Sequence, residues 1–432
     1  MPSVLVLTYG CPKNEADSDR FLRCFRRAGW GTAPGLESAD LVLLNTCAFI
    51  RPAVEESLEA LSSLLVWKDG APGRRIILAG CLPGRYGDDG TGGLEEIELV
   101  AGPGDTAAIE RWLGAGSGTS RTPAWKGAPS RYLRIADGCS NRCAYCTIPL
   151  IRGGFVPVPR DEILREAALL SSEGAAEIGL VAQDSAMWNG DGTGLTGLLD
   201  ELSSLYPRTW WRVYYLHPAH FPDGLVDLME SRPNVMPYVD MPVQHVSPAV
   251  LARMGRPYGP GEVRSILDRL DSARRRIAAR ITVISGYPGE TDREADDLVA
   301  FLSGFGCIRH LVAFPWYPEE GTPECARTLQ RGDAVPDHVV SGRISLLTTL
   351  SEAILADWGE RLTGLTVTVL ADTPDEGHTE WDAPGVDCRC LFTGPVTPGG
   401  RVTGRIVSSE GSDLLLDTAD DGAQASTARE RR

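Results

Sequence analysis

Six short apolar runs alternate with helix-length amphipathic stretches between residues 131 and about 358, and this alternation restricts the fold more than any other feature of the chain. The runs fall at 132–135, 177–182, 212–216, 238–243, 280–285 and 310–314. Strands separated by crossover helices pair in parallel, and repeated units of this kind close into a barrel. Six units, fewer than the usual eight, predict an incompletely closed barrel with a side opening wide enough for a macromolecular segment. Active sites of such barrels lie at the carboxyl ends of the strands. Gln183 and Asp184 follow the second run there, His217 the third, and Gln244 and His245 the fourth. A buried, hydrogen-bonded structural role is as compatible with any one of them as a catalytic role. Their common location makes them candidates for cofactor or substrate contacts.

Residues 1–118 carry the same alternation, with runs at 4–7, 41–44 and 75–79. Each is followed within a few residues by a cysteine: Cys11 in TYGCPKN, Cys47 in NTCAF and Cys81 in AGCLPG. A single free cysteine is usually a small buried hydrophobe. Placement after three successive strands of an open parallel sheet, whose ligand crevice lies outside the carboxyl ends, instead predicts convergence in space. Cys24, Cys307 and Cys325 lack that placement, and the C-x-C pair Cys388 and Cys390 falls on an expected strand; all five read as structural.

The first run of the six-unit region leads into IADGCSNRCAYCTI, where Cys139, Cys143 and Cys146 stand at C-x3-C-x2-C spacing. Thiols this close form a ligand set for zinc or an iron-sulfur cluster. A closed zinc site takes four ligands, and no C-x2-C or H-x3-5-H partner lies nearby. In a 4Fe-4S cluster three thiols leave one iron open for a substrate or cofactor atom. A secreted disulfide framework would need many more paired cysteines than one local triplet.

The 432-residue length predicts two or three domains. Residues 114–130 are rich in Gly, Ser and Pro, and 119–130 read as a linker between the N-terminal domain and the 131–358 region. Residues 359–420 show short strands broken by Gly and Pro turns, the pattern of a small antiparallel β-barrel, and residues 421–432 read as a disordered tail. The fold class is therefore multidomain α/β. Thr291 and Glu294 in GYPGETDRE form a capping box, and the segment lacks the Gly-Lys-Ser/Thr of a phosphate loop. Net charge is -16, with lysine only at Lys13, Lys68 and Lys126. Such a surface repels phosphate backbones and favours a basic protein partner. No apolar run approaches a membrane span and the first ten residues lack a basic leader, so a cytoplasmic protein without a membrane partner is expected.

The arrangement C-x3-C-x-aromatic-C, with Tyr145 as the aromatic residue, resembles the signature of radical S-adenosylmethionine enzymes. With both cysteine sets placed, the chain resembles the radical methylthiotransferase family over nearly its whole length. The segments that carry this are GCPKN at 10–14, NTCAFI at 45–50, GCLPGRY at 80–86, VAQD at 181–184, DMPVQHVS at 240–247, GYPGET at 286–291, EEGTP at 319–323 and DAPGVD at 382–387. GCPKN and VAQD are closer to the branch that modifies an aspartate of ribosomal protein uS12 than to the branch that modifies tRNA. The resemblance implies an N-terminal parallel α/β domain, a central incomplete (β/α)6 radical S-adenosylmethionine barrel and a C-terminal TRAM barrel. It implies that Cys139, Cys143 and Cys146 hold a catalytic 4Fe-4S cluster whose open iron chelates S-adenosylmethionine. Cys11, Cys47 and Cys81 would hold an auxiliary 4Fe-4S cluster that carries an exogenous sulfur. Tyr145, Gln183, Asp184, Gln244 and His245 would serve the cofactor.

One S-adenosylmethionine would methylate that sulfur, and another would yield the radical that abstracts hydrogen from the aspartate β carbon. An external electron donor and a sulfur donor are further implied partners. The chain departs from the family at Pro157 and Val158, where a Ser-Arg pair is usual, and at Tyr317-Pro318, where Tyr-Ser is usual. Competing readings are the same chemistry on tRNA, which the acidic C-terminal segment disfavours, and a non-catalytic iron-sulfur scaffold that would release no 5'-deoxyadenosine.

Overall fold

The computed structural model describes residues 1–87, 95–114, 128–190 and 192–418. Most of the expected linker at 119–130 and all of the expected tail at 421–432 lie outside the described residues. The chain divides into two compact units, each assembled from separated stretches. The first holds Met1–Trp125, Ala136–Val156 and Tyr317–Ala326; the second holds Lys126–Ile135, Pro157–Trp316 and Arg327–Arg432.

The first unit begins with β1 (Ser3–Thr8), α1 (Pro12–Arg27), β2 (Gly31–Thr32), β3 (Leu41–Thr46), α2 (Arg51–Asp69), β4 (Arg75–Gly80), α3 (Cys81–Tyr86), β5 (Leu99–Ala101) and α4 (Thr106–Trp112). Its strands form one parallel sheet in the order β2-β1-β3-β4-β5. Alternate residues face opposite layers, as the two-residue strand period requires. Val42, Leu44, Ile76 and Leu78 pack with Leu61 and Leu64 of α2, while Leu41, Leu43 and Ile77 pack with Phe21 and Phe25 of α1 and Ile109 of α4. Burial on both faces explains why β3 reads as an unbroken apolar run. The EEGTP segment belongs to this unit: Glu319 pairs with Arg85 at 2.8 Å and accepts from the Arg51 backbone N–H at 2.6 Å.

The chain continues through β6 (Ser130–Arg134), β7 (Ala136–Asp137), α5 (Ile148–Arg152), β8 (Val156–Pro157), α6 (Arg160–Ser172), β9 (Glu177–Val181), α7 (Gly194–Leu205), β10 (Trp210–Val213), α8 (Leu225–Ser231) and β11 (Tyr238–Gln244). Then follow α9 (Pro248–Met254), α10 (Pro260–Asp271), β12 (Ala278–Ser285), α11 (Asp292–Leu302), β13 (Ile308–Pro315), α12 (Pro323–Arg331) and α13 (Asp337–Leu362). In the second unit β6, β9 and β10 form one parallel ladder and β11, β12 and β13 another. The Met236 N–H donates to Trp211 O at 2.8 Å, tying β10 to the segment entering β11. The six expected strand-helix units are thus present as neighbours in chain order, and among the described residues no ladder joins β6 to β13.

Helix α13 is long and apolar enough to cross a membrane by length and composition alone, which amends the expectation that no segment approaches a span. Its apolar residues are scattered among Ser and Thr, so they do not read as a run. Arg343, Leu347, Trp358, Gly359 and Leu362 are its buried positions, and the Trp358 indole donates to Ile308 O at 2.7 Å. One face therefore packs along β13.

The last strands, β14 (Thr366–Ala371), β15 (Glu376–Thr379), β16 (Cys390–Phe392), β17 (Arg401–Glu410) and β18 (Asp413–Asp417), close into the expected small barrel, here of five strands in the order β14-β15-β16-β18-β17. One ladder departs from the antiparallel expectation, since β16 and β18 run parallel. Cys390 opens β16 while Cys388 lies just before it, and both are buried.

DAPGVD acts as a clasp inside the second unit. Asp382 accepts from Arg309 Nε at 2.7 Å and Nη2 at 3.2 Å, and Asp387 accepts from Tyr238 at 2.7 Å and Arg280 at 3.1 Å. Nearby, His378 lies between Glu177 at 3.0 Å and Asp372 at 2.7 Å. Burial disfavours its charge, yet the two carboxylates outweigh burial and hold the imidazolium up to about 9. A histidine raised above its unfolded value contributes stability below about pH 6.5 that is lost as pH rises through about 9, on the order of 3 kcal/mol. Urea unfolding at pH 7 and pH 9.5 should therefore show a fall in stability that His378→Gln removes; equal falls in both proteins would contradict this.

Candidate functional site

Three neighbouring strands of the first unit, β1, β3 and β4, each end at a cysteine. Cys11 is the N-cap of α1, Cys47 follows β3 and Cys81 opens α3. The structure brings the three thiols together, as the expected convergence required. Burial first, then the charges of Cys11 and Cys81, push the Cys47 thiol up to about 12. Burial also raises Cys81, with Arg152 opposing. Buried thiols that repel one another when ionised are poor acids alone but become thiolates when a cation binds them. Gly10 makes room for this packing: at φ 105°, a Cβ there would meet Cys47 Cβ at 2.8 Å and Cys47 Sγ at 3.0 Å. Gly10→Ala should leave the sheet folded by circular dichroism and lower iron retention by about half, by emptying this set alone. Full iron retention would contradict the close-packing argument.

Side chains of GCPKN and NTC lock the loops. The Asn14 amide donates to Tyr9 O at 2.7 Å and Thr46 O at 2.9 Å, and Ser57 donates to Cys47 O at 2.7 Å. Lys13 is 1% exposed, with Nζ 2.6 Å from Asp137. Burial and the neighbouring Arg152 bring its ammonium down to about 8 despite that carboxylate. The cation pair Lys13 and Arg152, with Asp17, was not singled out from sequence; a charged residue inside the apolar pentapeptide of α5 is the signal that marks Arg152.

Cys139, Cys143 and Cys146 lie on the same unit's 136–156 stretch, half-buried, with Tyr145 also half-buried among them. The loop is held by Cys139 N–H to Gly153 O at 3.1 Å, Thr147 Oγ1 to Phe49 O at 2.8 Å and Glu324 N–H to Ala144 O at 2.9 Å. A Cβ on Gly138, at φ 66°, would stand 2.0 Å from Gly154 O, so this turn admits only glycine. A closed zinc site takes four ligands, whereas a 4Fe-4S cluster held by three thiols keeps one iron open, so the ligand count of each set fits such a cluster.

The second unit gathers the other sequence candidates at the carboxyl ends of its strands. Asp184 accepts from His220 Nδ1 at 2.9 Å, and Gln183 beside it is half-buried. Buried His217 accepts the Ala219 N–H at Nδ1, which assigns the ring proton to Nε2, an atom without a hydrogen-bond partner among the described residues. Burial, Arg256 and His220 lower its basicity, keeping it neutral. Asp184, His217 and His220 have donor atoms within 4.8 Å of one another. Gln244 is buried at φ 65°, with Oε1 also lacking a partner among the described residues. Left-handed backbone at a non-glycine residue is sustained strain, which concentrates at functional sites. His245 is fully buried and spends both ring nitrogens, Nδ1 on the Ser247 N–H at 2.9 Å and Nε2 on Glu290 at 3.2 Å. The capping box at Thr291 and Glu294 is present as expected. Glu290 of the same segment, assigned no role from sequence, also binds Gly286 N–H and Arg343.

Residues 3–102 match the uncharacterized protein family UPF0004, and residues 133–302 match the radical SAM superfamily. Ribosomal protein uS12 methylthiotransferase RimO of Syntrophus aciditrophicus (strain SB) is 35% identical over 96% of this chain and 98% of its own length. The protein of the same name from Oleidesulfovibrio alaskensis is 36% identical over 96% of this chain and 99% of its own. Among solved structures, the radical S-adenosylmethionine methyltransferase TsrM from Kitasatospora setae, with cobalamin and [4Fe-4S] cluster bound, superposes with a TM-score of 0.56 at 14% identity, over 77% of this chain and 78% of that one. That likeness is one of fold.

Proposed function

From the premise that the chain belongs to the RimO family of ribosomal protein uS12 methylthiotransferases, we propose that it replaces a hydrogen on the β carbon of a uS12 aspartate with a methylthio group. The observation that carries the reading is the pair of three-thiol sets, since one set would suffice for radical generation alone. Cys139, Cys143 and Cys146 would hold the catalytic 4Fe-4S cluster, and Cys11, Cys47 and Cys81 the auxiliary one. When bound, the clusters and S-adenosylmethionine supply a 5'-deoxyadenosyl radical and an activated sulfur, chemistry that no acid or base on this chain could perform on an unactivated C–H bond.

The chain's own part is to hold and orient. Gly10 and Gly138 let the cysteine loops close tightly, and Lys13, Asn14 and Arg152 surround them with donors. Tyr145, Gln183, Asp184 and Gln244 are proposed cofactor contacts, Gln244 through its unpartnered carbonyl oxygen. His245 contributes by fixing Glu290 under the following loop. Neutral His217 offers an N–H to an acceptor at the same strand ends. The proposed domains are 1–118, 131–358 and 359–420, in a cytoplasmic enzyme that draws on an external electron donor and a sulfur donor. The acidic C-terminal barrel supports a ribosomal-protein substrate over tRNA. Anaerobically reconstituted protein, given dithionite, S-adenosylmethionine and either a uS12 peptide or tRNA, should release 5'-deoxyadenosine and modify only the peptide, read by tandem mass spectrometry. A modified nucleoside with an unmodified peptide would overturn the substrate.

A further inference from the structure

Arg152 ends α5 with its side chain 2% exposed, and its guanidinium is divided between the two thiol sets. Nη2 donates to Asn14 Oδ1 at 2.8 Å and Asp17 Oδ2 at 2.9 Å and lies 3.8 Å from Cys81 Sγ. Nη1 donates to Asp137 Oδ1 at 3.2 Å. That carboxylate oxygen also accepts from the Gly138 N–H at 2.9 Å, directly before Cys139, and from Lys13 at 2.6 Å. The next residue, Gly153, accepts from the Cys139 N–H at 3.1 Å. One buried cation therefore touches a sulfur of the N-terminal set directly. It reaches the Cys139 loop across a carboxylate and two backbone hydrogen bonds.

We propose that Arg152 is a positioning residue that makes the two thiol sets electrochemically unequal, holding the reduction potential at Cys11, Cys47 and Cys81 above the value these ligands would otherwise set. The inference rests on the reading that each triplet holds an iron-sulfur cluster. One-electron reduction adds a unit of negative charge with no proton. A fixed positive charge within hydrogen-bonding reach of a ligand sulfur, screened by little water, stabilises the more negative form. Asp17 is 0% exposed and offsets part of the guanidinium charge, but Nη2 still stands 3.8 Å from Cys81 Sγ. On the side of the other set, the guanidinium donates to the Asp137 carboxylate, which it shares with Lys13, and that negative charge offsets part of its field. Two sets with the same ligand count then differ in how readily each takes an electron.

The test uses the full-length chain carrying Cys139→Ala, Cys143→Ala and Cys146→Ala, reconstituted anaerobically so that only the N-terminal set is loaded. Its midpoint potential is read by a redox titration followed by electron paramagnetic resonance. Arg152→Gln should lower that potential by about 59 mV or more, a tenfold shift in a one-electron equilibrium. Arg152→Lys, which keeps the charge, should recover most of it. Arg152→Gln leaves Asp17 buried without its cation, so the Asp17→Asn, Arg152→Gln double variant is measured beside it and should show a smaller fall in the same direction, since the negative charge of Asp17 goes with the guanidinium. In the converse chain lacking Cys11, Cys47 and Cys81, the same substitution should move the potential by clearly less. An unchanged potential in both Arg152→Gln proteins, or equal shifts at the two sets, would overturn the inference while leaving the cluster reading intact. If the triple-alanine parent binds no iron at all, the cluster reading fails and takes the inference with it.

Discussion

A full-length chain with Cys11, Cys47 and Cys81 all changed to alanine is expected to hold about four irons after anaerobic reconstitution where the parent holds about eight, and to make no methylthiolated product. These thiols follow three adjacent strands of one sheet, and burial with the neighbouring thiol charges raises Cys47, so the three form one set. The variant keeps Cys139, Cys143 and Cys146 and should still release 5'-deoxyadenosine when reduced in the presence of S-adenosylmethionine. The reciprocal triple variant should also hold about four irons and release none. Eight irons in either variant would remove the two-set assignment.

The second large effect is on stability. Asp382→Ala should destabilise the fold by about 3–5 kcal/mol, because it leaves a buried guanidinium unpaired. Asp382 and Arg309 are each 1% exposed and joined by two hydrogen bonds, and His310 Nε2 stands 3.1 Å from the same carboxylate. The double variant Arg309→Met, Asp382→Leu removes both charges and should recover most of the loss, since an apolar pair of similar volume avoids desolvation. Urea denaturation followed by circular dichroism checks both. A loss below about 1 kcal/mol for Asp382→Ala would mean that the clasp is hydrated.

The parallel sheets were legible because their strands are apolar runs long enough to bury both faces, as LVLLNT in β3 shows. β2 and β5 were not, since segments of two and three residues carry no period. The cysteine sets were legible for the same reason the sheet was: a strand followed by a cysteine, repeated, predicts a shared edge. What surrounds them was hidden. Arg152 and Asp17 lie 135 residues apart, and nothing local marks them as partners. EEGTP folding onto the N-terminal unit through Glu319 is likewise a tertiary fact. The capping box in GYPGETDRE was readable because it is local. The buried work of Glu290 beside it depends on His245 and Arg343, which come from distant strands and helices.

The most direct measurement of the central claim is the intact mass of uS12 purified from small ribosomal subunits of a strain lacking this gene, against the same strain carrying it. The account predicts that uS12 from the complemented strain is heavier by one methylthio group in place of one hydrogen, located on an aspartate by fragmentation. Identical uS12 masses in the two strains, with the gene expressed and the protein loaded with iron, would contradict it.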